Sequence, residues 1–333
     1  MTIFPKEYPT STGEGSLEYL LRAVYLDGRC IVQSAERQSE ASTVQAKKLW
    51  TVVKEVGQYV LHEGDVIKLG RFKLRVRQIC VGPEDDPVRP DLGGGESHSV
   101  GCVAPPTAIG MPCRICLLDG SGTDEDPLIQ ACSCRGSIQY VHLGCLRYWI
   151  NGRLCLTDAS KHAYLFRQLA CELCKVNYPV EVEMQDATRV PLVPMPETRA
   201  PFIVLENMMR QEQPGEQVPA SRGIFVISLS GKKMLKLGRG HESDVRIADV
   251  SISRWHATIS FTDNGNFVIE DHGSKFGTLV SMRRPRVVDP NSTDRARLCV
   301  QAGRTLFRLN YPPVSGDDNW SLNATAPSVA EGH

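Results

Sequence analysis

Four pairs of potential metal ligands are concentrated between residues 113 and 174. Cysteine thiolate and neutral imidazole are the ligands that structural zinc prefers, and a closed zinc site takes four of them in a tetrahedron. Eight ligands would complete two such sites, so we predict two bound Zn²⁺ ions. One C-x-x-C pair alone is a weak signal, whereas four pairs in this order are a strong one. In chain order the pairs are Cys113 and Cys116, Cys132 and Cys134, His142 and Cys145, and Cys171 and Cys174.

The sequence around these ligands resembles the RING-CH (RINGv) family of E3 ubiquitin ligases over residues 111–179. The resemblance rests on the stretches CRICL, DPLIQACSCRGS and YVHLGCL, and on a tryptophan four residues after Cys145. It implies two interleaved sites in a small cross-braced α+β module. This segment is too small to bury a sufficient core, so metal binding must supply folding free energy. By this resemblance the first zinc is held by Cys113, Cys116, His142 and Cys145, and the second by Cys132, Cys134, Cys171 and Cys174.

The PHD finger, which reads histone tails, is the structural alternative because it shares the order of four cysteines, one histidine and three cysteines. Two features count against it. Only one residue separates Cys132 from Cys134, and the tryptophan follows the His-Cys pair instead of preceding the last cysteine pair. The RING-CH interpretation is therefore favoured.

A RING-CH ligase forms no covalent intermediate, so no covalent catalytic residue is expected. It holds a ubiquitin-loaded conjugating enzyme and so removes orientational entropy. The resemblance places Ile115 and Trp149 on the apolar surface that contacts this enzyme, and Lys175 where a basic donor contacts ubiquitin. The alternatives are a buried Trp149 that shields the second zinc, a similarly buried Ile115, and a merely solvated Lys175. Glu172 stands where many RING domains have proline.

The C-terminal part of the chain has short alternating strands between residues 234 and 280. An Asn264-Gly265 dipeptide between two of them is a strong hairpin signal, and further glycines mark turns. This spacing predicts an all-β sandwich.

The motifs LGR, SDVRI, VSISRWHA and GSKFGT resemble a forkhead-associated (FHA) domain over residues 200–312. Such domains bind phosphothreonine peptides with loops at one end of the sandwich. A phosphate dianion needs a fixed cation and short donors. The resemblance assigns these roles to Arg239 and Ser253, with added charge from Arg254 and Lys275. Residues expected to brace the loops are Gly238, His256, Ser274, Gly277 and Thr278.

One residue departs from the FHA pattern. Phe276 stands where the family commonly has an asparagine that hydrogen-bonds the peptide backbone. A phenylalanine cannot form that bond, so a different affinity or peptide register is expected. Without the resemblance, Arg239 and Ser253 would be taken for ordinary turn residues.

Composition separates these modules. We predict a multidomain, mainly β chain in which the zinc module lies between an N-terminal β-rich segment and the FHA sandwich. The N-terminal segment also looks like the closing hairpin of an FHA sandwich, without a phosphate-binding signature. Glycine- and proline-rich stretches predict linkers. The expected boundaries are a flexible N-terminus at 1–15, the β-rich segment at 16–82, a linker at 83–110, the zinc module at 111–180, a linker at 181–199, the FHA sandwich at 200–312 and a flexible tail at 313–333.

Bulk properties narrow the class of protein. The 333 residues include 38 basic and 38 acidic side chains, a balance that argues against nucleic acid as a partner. The sequence shows neither a secretory signal nor an apolar stretch long enough to span a bilayer. Twelve cysteines, seven of them paired between 113 and 174, favour metal binding over disulfides. We expect a soluble intracellular protein, cytoplasmic or nuclear.

Together these features predict an E3 ubiquitin ligase with conjugating enzyme, ubiquitin and a phosphothreonine-containing protein as partners. Two other functions stay open at this stage. One is a non-enzymatic scaffold that uses the zinc module and the sandwich as interaction surfaces. The other is a PHD-like histone reader.

Overall fold

The computed structural model describes most of the chain. The residues described are 2–3, 21–26, 29–34, 49–82, 89–92, 100–108, 110–118, 123, 125–154, 162–209, 223–288, 298–310 and 321–325.

Strands dominate these residues, as predicted. The helices are α1 (Val53–Val56) and α2 (Leu143–Leu154), with 3-10 turns at Pro106–Ala108 and Gly136–Ile138. The strands are β1 (Thr2–Ile3), β2 (Leu21–Leu26), β3 (Arg29–Ser34), β4 (Leu49–Val52), β5 (Gln58–Val60), β6 (Val66–Leu69), β7 (Phe72–Cys80), β8 (Gly101–Val103), β9 (Leu128–Gln130), β10 (Val141–His142), β11 (Ala163–Phe166), β12 (Glu181–Glu183), β13 (Arg189–Pro191), β14 (Phe202–Asn207), β15 (Ile224–Ser228), β16 (Met234–Gly238), β17 (Val245–Arg246), β18 (Ala257–Phe261), β19 (Phe267–Asp271), β20 (Thr278–Ser281), β21 (Arg286–Val288), β22 (Leu298–Ala302), β23 (Thr305–Asn310) and β24 (Ser321–Thr325). None of the described helices has the length and apolar character needed to cross a membrane.

The chain divides into two compact units. The first combines the described residues of Met1–Leu74 and Met234–His333, and the second those of Arg75–Lys233. One division falls inside β7 and the other at the start of β16. The boundaries expected at 82 and 200 therefore do not coincide with the edges of these units.

The first unit contains strands from both ends of the chain. One of its sheets has the order β17-β16-β18-β19-β5, and another contains β6-β20-β4-β22-β23-β24. Strand β20 thus has the N-terminal strands β6 and β4 on its two sides, and β5 pairs with β19. The N-terminal β-rich segment is part of the same unit as the C-terminal strands.

Alternating side chains explain why these strands form. In β16 the side chains of Leu235 and Leu237 are buried, whereas Met234 is exposed. The predicted hairpin joins β18 to β19, with Phe261 opposite Phe267 and Gly265 at a φ of 76°. Glycine adopts this left-handed conformation without steric cost.

The second unit contains a sheet of order β10-β9-β8-β12-β13 beside helix α2. Strand β8 and strands β12 and β13 come from the two segments predicted as linkers. Val182 and Leu192 are almost fully buried, and the Arg147 guanidinium donates to the carbonyl oxygens of Pro191 and Leu192 at 2.7 and 3.0 Å. These apolar residues extend the small core of the zinc module. Their burial explains why the proline-rich segment 181–199 has a defined structure.

The second unit also contains the antiparallel strands β11, β15 and β14, in that order. Every residue of β14 from Phe202 to Glu206 is buried. One face of these strands packs with Cys80 and Ala200 in a separate core cluster, to which they contribute Phe202, Val204, Ile224 and Val226. The two strands β14 and β15 lie within the range 200–312 predicted for the sandwich, but they belong to the second unit.

Parts of both predicted flexible ends form strands. Strand β1 pairs with β2, and β24 pairs with β23 along its whole length. The remainder of 1–15 and of 313–333 lies outside the described residues.

The buried hydroxyl of Thr51 gives a stability prediction. Thr51 lies in β4, is fully buried, and its Oγ1 has no hydrogen-bond partner among the described residues. Replacing a buried unsatisfied hydroxyl with a methyl group removes a desolvation cost. We expect Thr51→Val to raise the free energy of unfolding by about 1 kcal/mol in urea denaturation.

Thr278 is the matched control, because it is equally buried but its Oγ1 donates to Asp271 Oδ2 at 2.7 Å. Thr278→Val should lower the stability by about 1–3 kcal/mol. An equal loss of stability in Thr51→Val and Thr278→Val would contradict the claim that only the Thr51 hydroxyl is unsatisfied.

Candidate functional site

The first group of predicted ligands converges in space. One donor atom from each of Cys113, Cys116, His142 and Cys145 lies within 4.8 Å of the others. His142 faces the cluster through Nδ1, which is 3.4 Å from Cys116 Sγ and 3.9 Å from Cys145 Sγ. This is the set that the family resemblance implies for the first zinc.

The remaining four ligands form a second cluster of the same size. Cys132, Cys134, Cys171 and Cys174 also place their sulfur atoms within 4.8 Å of one another, with Cys134 and Cys171 3.7 Å apart. A tetrahedral zinc with bonds of about 2.3 Å places its sulfurs about 3.8 Å apart. No disulfide forms among the described cysteines. The two clusters are therefore positioned to bind two metal ions.

Two turns of the same geometry supply one ligand pair to each cluster. In the first, Cys113 N donates to Leu118 O and Leu117 N donates to Cys113 O. In the second, Cys171 and Lys175 form the corresponding bonds with Val176 O and Cys171 O. Leu117 and Lys175 both have a φ of 62°, so each turn closes through a left-handed residue. We call these two turns, Cys113–Leu118 and Cys171–Val176, the first and second knuckles.

The ionisation of the thiols fits a bound cation. Burial, together with the neighbouring cysteines, raises the pKa of Cys134 and Cys145 to about 12. Burial also opposes ionisation of Cys113, but backbone N–H groups of the first knuckle and of His142 hold its pKa at about 7. Four ligands cannot all be in their metal-binding form without a compensating positive charge.

Arg114 connects the two clusters, although the sequence analysis did not single it out. It lies between the first two ligands, yet its guanidinium donates to the sulfurs of Cys132 and Cys171, at 3.4 and 3.6 Å, in the second cluster. A second nitrogen donates to Tyr178 Oη at 3.0 Å. A zinc ion held by four thiolates has a net negative charge, which this cation would offset. The sequence feature that could have indicated this role is the position of Arg114 inside the first C-x-x-C pair.

Asp126 holds the helix that carries Cys145. Its Oδ1 accepts a hydrogen bond of 2.6 Å from Gly144 N, in the first turn of α2. Helix N-termini leave such N–H groups unpaired, and a carboxylate there also suits the helix dipole. The residue belongs to the stretch DPLIQ, but sequence spacing did not indicate its partner.

The residues predicted to contact the conjugating enzyme differ in exposure. Ile115 is 40% exposed on the first knuckle, and Lys175 is exposed on the second. Trp149 is half-buried, with its ring edge-on to Tyr178 and the Arg153 guanidinium 5.0 Å from its centre. Arg153 also forms an ion pair with Glu172, which stands where many RING domains have proline.

Three loops of the first unit bring the predicted phosphate-binding residues together. Arg239 N donates to Ser253 O at 3.1 Å, and Lys275 N donates to Ser253 Oγ at 3.1 Å. A Cβ atom at Gly238 would overlap the Arg254 carbonyl oxygen, so only glycine allows this approach. The side chains of Arg239, Arg254 and Lys275 are exposed and form no ion pair with any described residue.

Two buried side chains fix these loops. His256 is fully buried; its Nδ1 accepts a bond from Ser253 N, and Nε2 lies 3.3 Å from Gly277 O. Burial lowers the pKa of His256, so the ring is neutral. Asp271, which sequence analysis missed, accepts bonds from Ser274 N, Ser274 Oγ and Thr278 Oγ1. Burial opposes its charge, but these bonds lower its pKa below the usual range.

The role of Arg114 generates a prediction for the second metal centre. Removing a group that hydrogen-bonds metal ligands typically weakens metal binding about 10–100-fold. We expect Arg114→Ala to weaken zinc binding by this amount at one of the two centres, measured by competition with a chromophoric chelator. Arg135→Ala is the control, since Arg135 is exposed beside Cys134 and has no side-chain partner among the described residues. Unchanged zinc affinity in Arg114→Ala would remove its assigned role.

Comparisons with known proteins agree with both resemblances. Residues 113–174 match the RING-variant domain family, and residues 235–295 match the FHA domain family. The chain is 35% identical over 82 residues to the ERAD-associated E3 ubiquitin-protein ligase DOA10 of Saccharomyces cerevisiae, covering 25% of this chain and 6% of that protein. It is 37% identical over 73 residues to the E3 ubiquitin-protein ligase MARCHF8 of Homo sapiens, covering 22% of this chain and 20% of that protein.

A third relative, MARCHF8 of Xenopus tropicalis, is also 37% identical over 73 residues, covering 22% of each chain. The matches thus span less than a quarter of the length of these relatives. No solved structure matches the chain significantly. The two family resemblances seen in the sequence are confirmed: the chain carries a RING-variant domain of the kind found in E3 ubiquitin ligases at residues 113–174, and an FHA domain at residues 235–295.

Proposed function

We propose that this chain is a RING-CH type E3 ubiquitin ligase. The observation that carries the proposal is the pair of interleaved four-ligand clusters, with apolar side chains exposed on the knuckles between them. Its matched relatives bear the name of E3 ubiquitin-protein ligase, which supports the same activity. An intracellular location, cytoplasmic or nuclear, belongs to this proposal because ubiquitin transfer takes place there.

Bound zinc would supply no covalent chemistry and would serve to fix the two knuckles. Ile115, Leu118 and Leu173 present apolar surface on these turns, with exposures of 40%, 66% and 61%. Apolar side chains held in one place bind a partner with little loss of conformational entropy. The conjugating enzyme would bind this surface, and catalysis would consist of orienting the ubiquitin thioester for attack.

Trp149 is the proposed anchor of that interaction. Its ring is held by Tyr178 and Arg153, so its orientation is fixed before binding. Half-buried tryptophans of this kind are common binding hot spots. Lys175 is proposed to donate to ubiquitin, and its backbone is fixed by the bond from its own N–H to Cys171 O.

The ligase proposal is tested with Trp149→Ala. Loss of the anchor should reduce autoubiquitination at least tenfold, since truncating a hot spot costs about 2 kcal/mol or more. Two zinc ions should remain bound, because Trp149 is not a ligand. Gel-based transfer assays with a panel of conjugating enzymes give the rate, and elemental analysis gives the zinc content.

Trp255→Ala is the matched control, because Trp255 is 40% exposed in the other unit. It should leave autoubiquitination unchanged. Full activity of Trp149→Ala would remove Trp149 from the mechanism. Absence of transfer by the native chain across a broad panel would favour the non-enzymatic scaffold.

We further propose that the FHA domain recruits a phosphothreonine-containing protein. Ser253 Oγ already accepts a bond from Lys275 N, so its hydroxyl hydrogen is available to a phosphate oxygen. Arg239, Arg254 and Lys275 place positive charge around that hydroxyl. Charge-assisted bonds to a phosphate dianion are strong enough to select phosphorylated over unmodified threonine.

Phe276 suggests how this peptide site departs from other FHA domains. Its ring is 57% exposed, next to Lys275, whose Nζ is 5.7 Å from the ring centre. In place of a hydrogen bond to the peptide backbone, this ring offers apolar contact. The proposed peptide therefore carries an apolar side chain near the phosphothreonine.

Arg239→Ala tests the recruitment proposal. Losing one charge-assisted bond to phosphate should weaken phosphothreonine-peptide binding about tenfold or more in calorimetry, with the fold retained by circular dichroism. Arg239→Lys should recover part of the affinity, because it restores the charge but not the planar donor pair. Equal binding of phosphorylated and unmodified peptides by the native chain would contradict the proposal.

A further inference from the structure

The turn formed by Gly70 and Arg71 lies at the same end of the sheet as the phosphate-binding loops. Leu69, at the end of β6, is directly opposite Thr278 at the start of β20. The residues that follow Leu69 therefore emerge beside the loop that ends at Gly277. This turn precedes the zinc module in the chain, outside the residues matched to the FHA family.

Arg71 is bonded to the loop that leads to Ser253. Its Nε donates to both carboxylate oxygens of Asp249, at 2.8 and 3.2 Å, and its backbone N donates to Ser251 Oγ at 3.0 Å. Asp249 is only 13% exposed, whereas Arg71 is 65% exposed. The N-terminal segment thus supplies the cation that faces this carboxylate.

Asp249 also accepts hydrogen bonds from residues of its own loop. Its Oδ1 accepts bonds from Ser251 N and Ser251 Oγ, at 2.8 and 2.7 Å. Its backbone oxygen accepts a bond from Ile252 N at 3.0 Å. Ser253, the proposed phosphate donor, is the next residue. The Asp249 carboxylate therefore links Arg71 to Ser251, two residues before Ser253.

The close approach of the two loops requires glycine at position 70. Gly70 has a φ of 58°, and a Cβ atom there would lie 2.5 Å from both Ser251 O and Ser251 Oγ. Gly303, in the β22–β23 turn, has a nearly identical φ of 60° and open space around it. The constraint at Gly70 comes from contact with the loop and not only from the turn.

We propose that Arg71 is a positioning residue of the phosphopeptide site, and that the N-terminal segment Leu49–Arg71 is an integral part of that site. The inference rests on the proposed phosphothreonine recruitment. Arg71 acts through Asp249, and the site is assembled from sequence on both sides of the zinc module.

The test uses the full chain and a phosphothreonine peptide that the native protein binds. Arg71→Ala should weaken binding about three- to tenfold, the loss typical of an ion pair and a charge-assisted bond that hold a loop. Hydrogen exchange should rise at the amides of Ser251 and Ile252, and not across the unit. Arg71→Lys should restore part of the affinity.

Two matched controls make the same substitutions at positions away from the proposed site. Arg304 follows Gly303 at the opposite end of β20 and has no side-chain partner among the described residues, so Arg304→Ala should bind as the native chain does. Gly70→Ala should weaken binding more than Gly303→Ala. In an Asp249→Asn background, which keeps an oxygen for Ser251, Arg71→Ala should cause little further loss.

Each outcome has a defined meaning. Native-like binding and exchange in Arg71→Ala overturn the positioning role while leaving phosphopeptide recruitment intact. Exchange that rises across the whole unit also overturns it, because the effect would then be general destabilisation. A native chain that binds no phosphopeptide refutes the proposed recruitment, and the assignment of Arg71 to that site fails with it.

Discussion

The structure of the zinc module depends on ligand pairs that cross between two metal centres. The first knuckle shares a cluster with His142 and Cys145, and the second shares one with the cysteines that follow β9. Because the pairs alternate along the chain, neither centre can form without folding the segment that leads to the other. Burial keeps the pKa of Cys134 and Cys145 near 12 without a cation, so metal binding, deprotonation and folding are one linked process. Arg114 adds a further link between the two centres.

The two proposed binding surfaces use backbone rigidity in different ways. On the zinc module, metal ligands fix the knuckles, and apolar side chains project from turns that have little freedom left. In the FHA domain, buried polar side chains serve this purpose. His256 and Asp271 are each fully engaged with loop atoms, which makes a buried polar network stabilising instead of costly. The loops can then hold exposed cations near one another before any ligand binds.

Local patterns in the sequence were sufficient to predict the residues of the two four-residue clusters and the hairpin at Asn264-Gly265, because ligand spacing and turn chemistry are properties of short segments. The partners of Arg114, Asp126 and Asp271 could not be predicted in this way, since their hydrogen bonds depend on tertiary folding. The boundaries of the units were also beyond local reasoning. Pairing of β6 with β20 joins residues more than two hundred positions apart, and local composition does not indicate such a contact. Parts of the linker predicted at 181–199 form strands because Val182 and Leu192 complete a neighbouring core.

Metal content measured on the intact chain is the most direct test of the central claim. Native mass spectrometry should find two zinc ions per chain, and their removal by a chelator should abolish hydrogen-exchange protection in the described part of residues 113–174. Restoring zinc should restore that protection. A chain that holds fewer than two zinc ions when folded, or that keeps full protection after both are removed, would contradict the account of crossed metal centres.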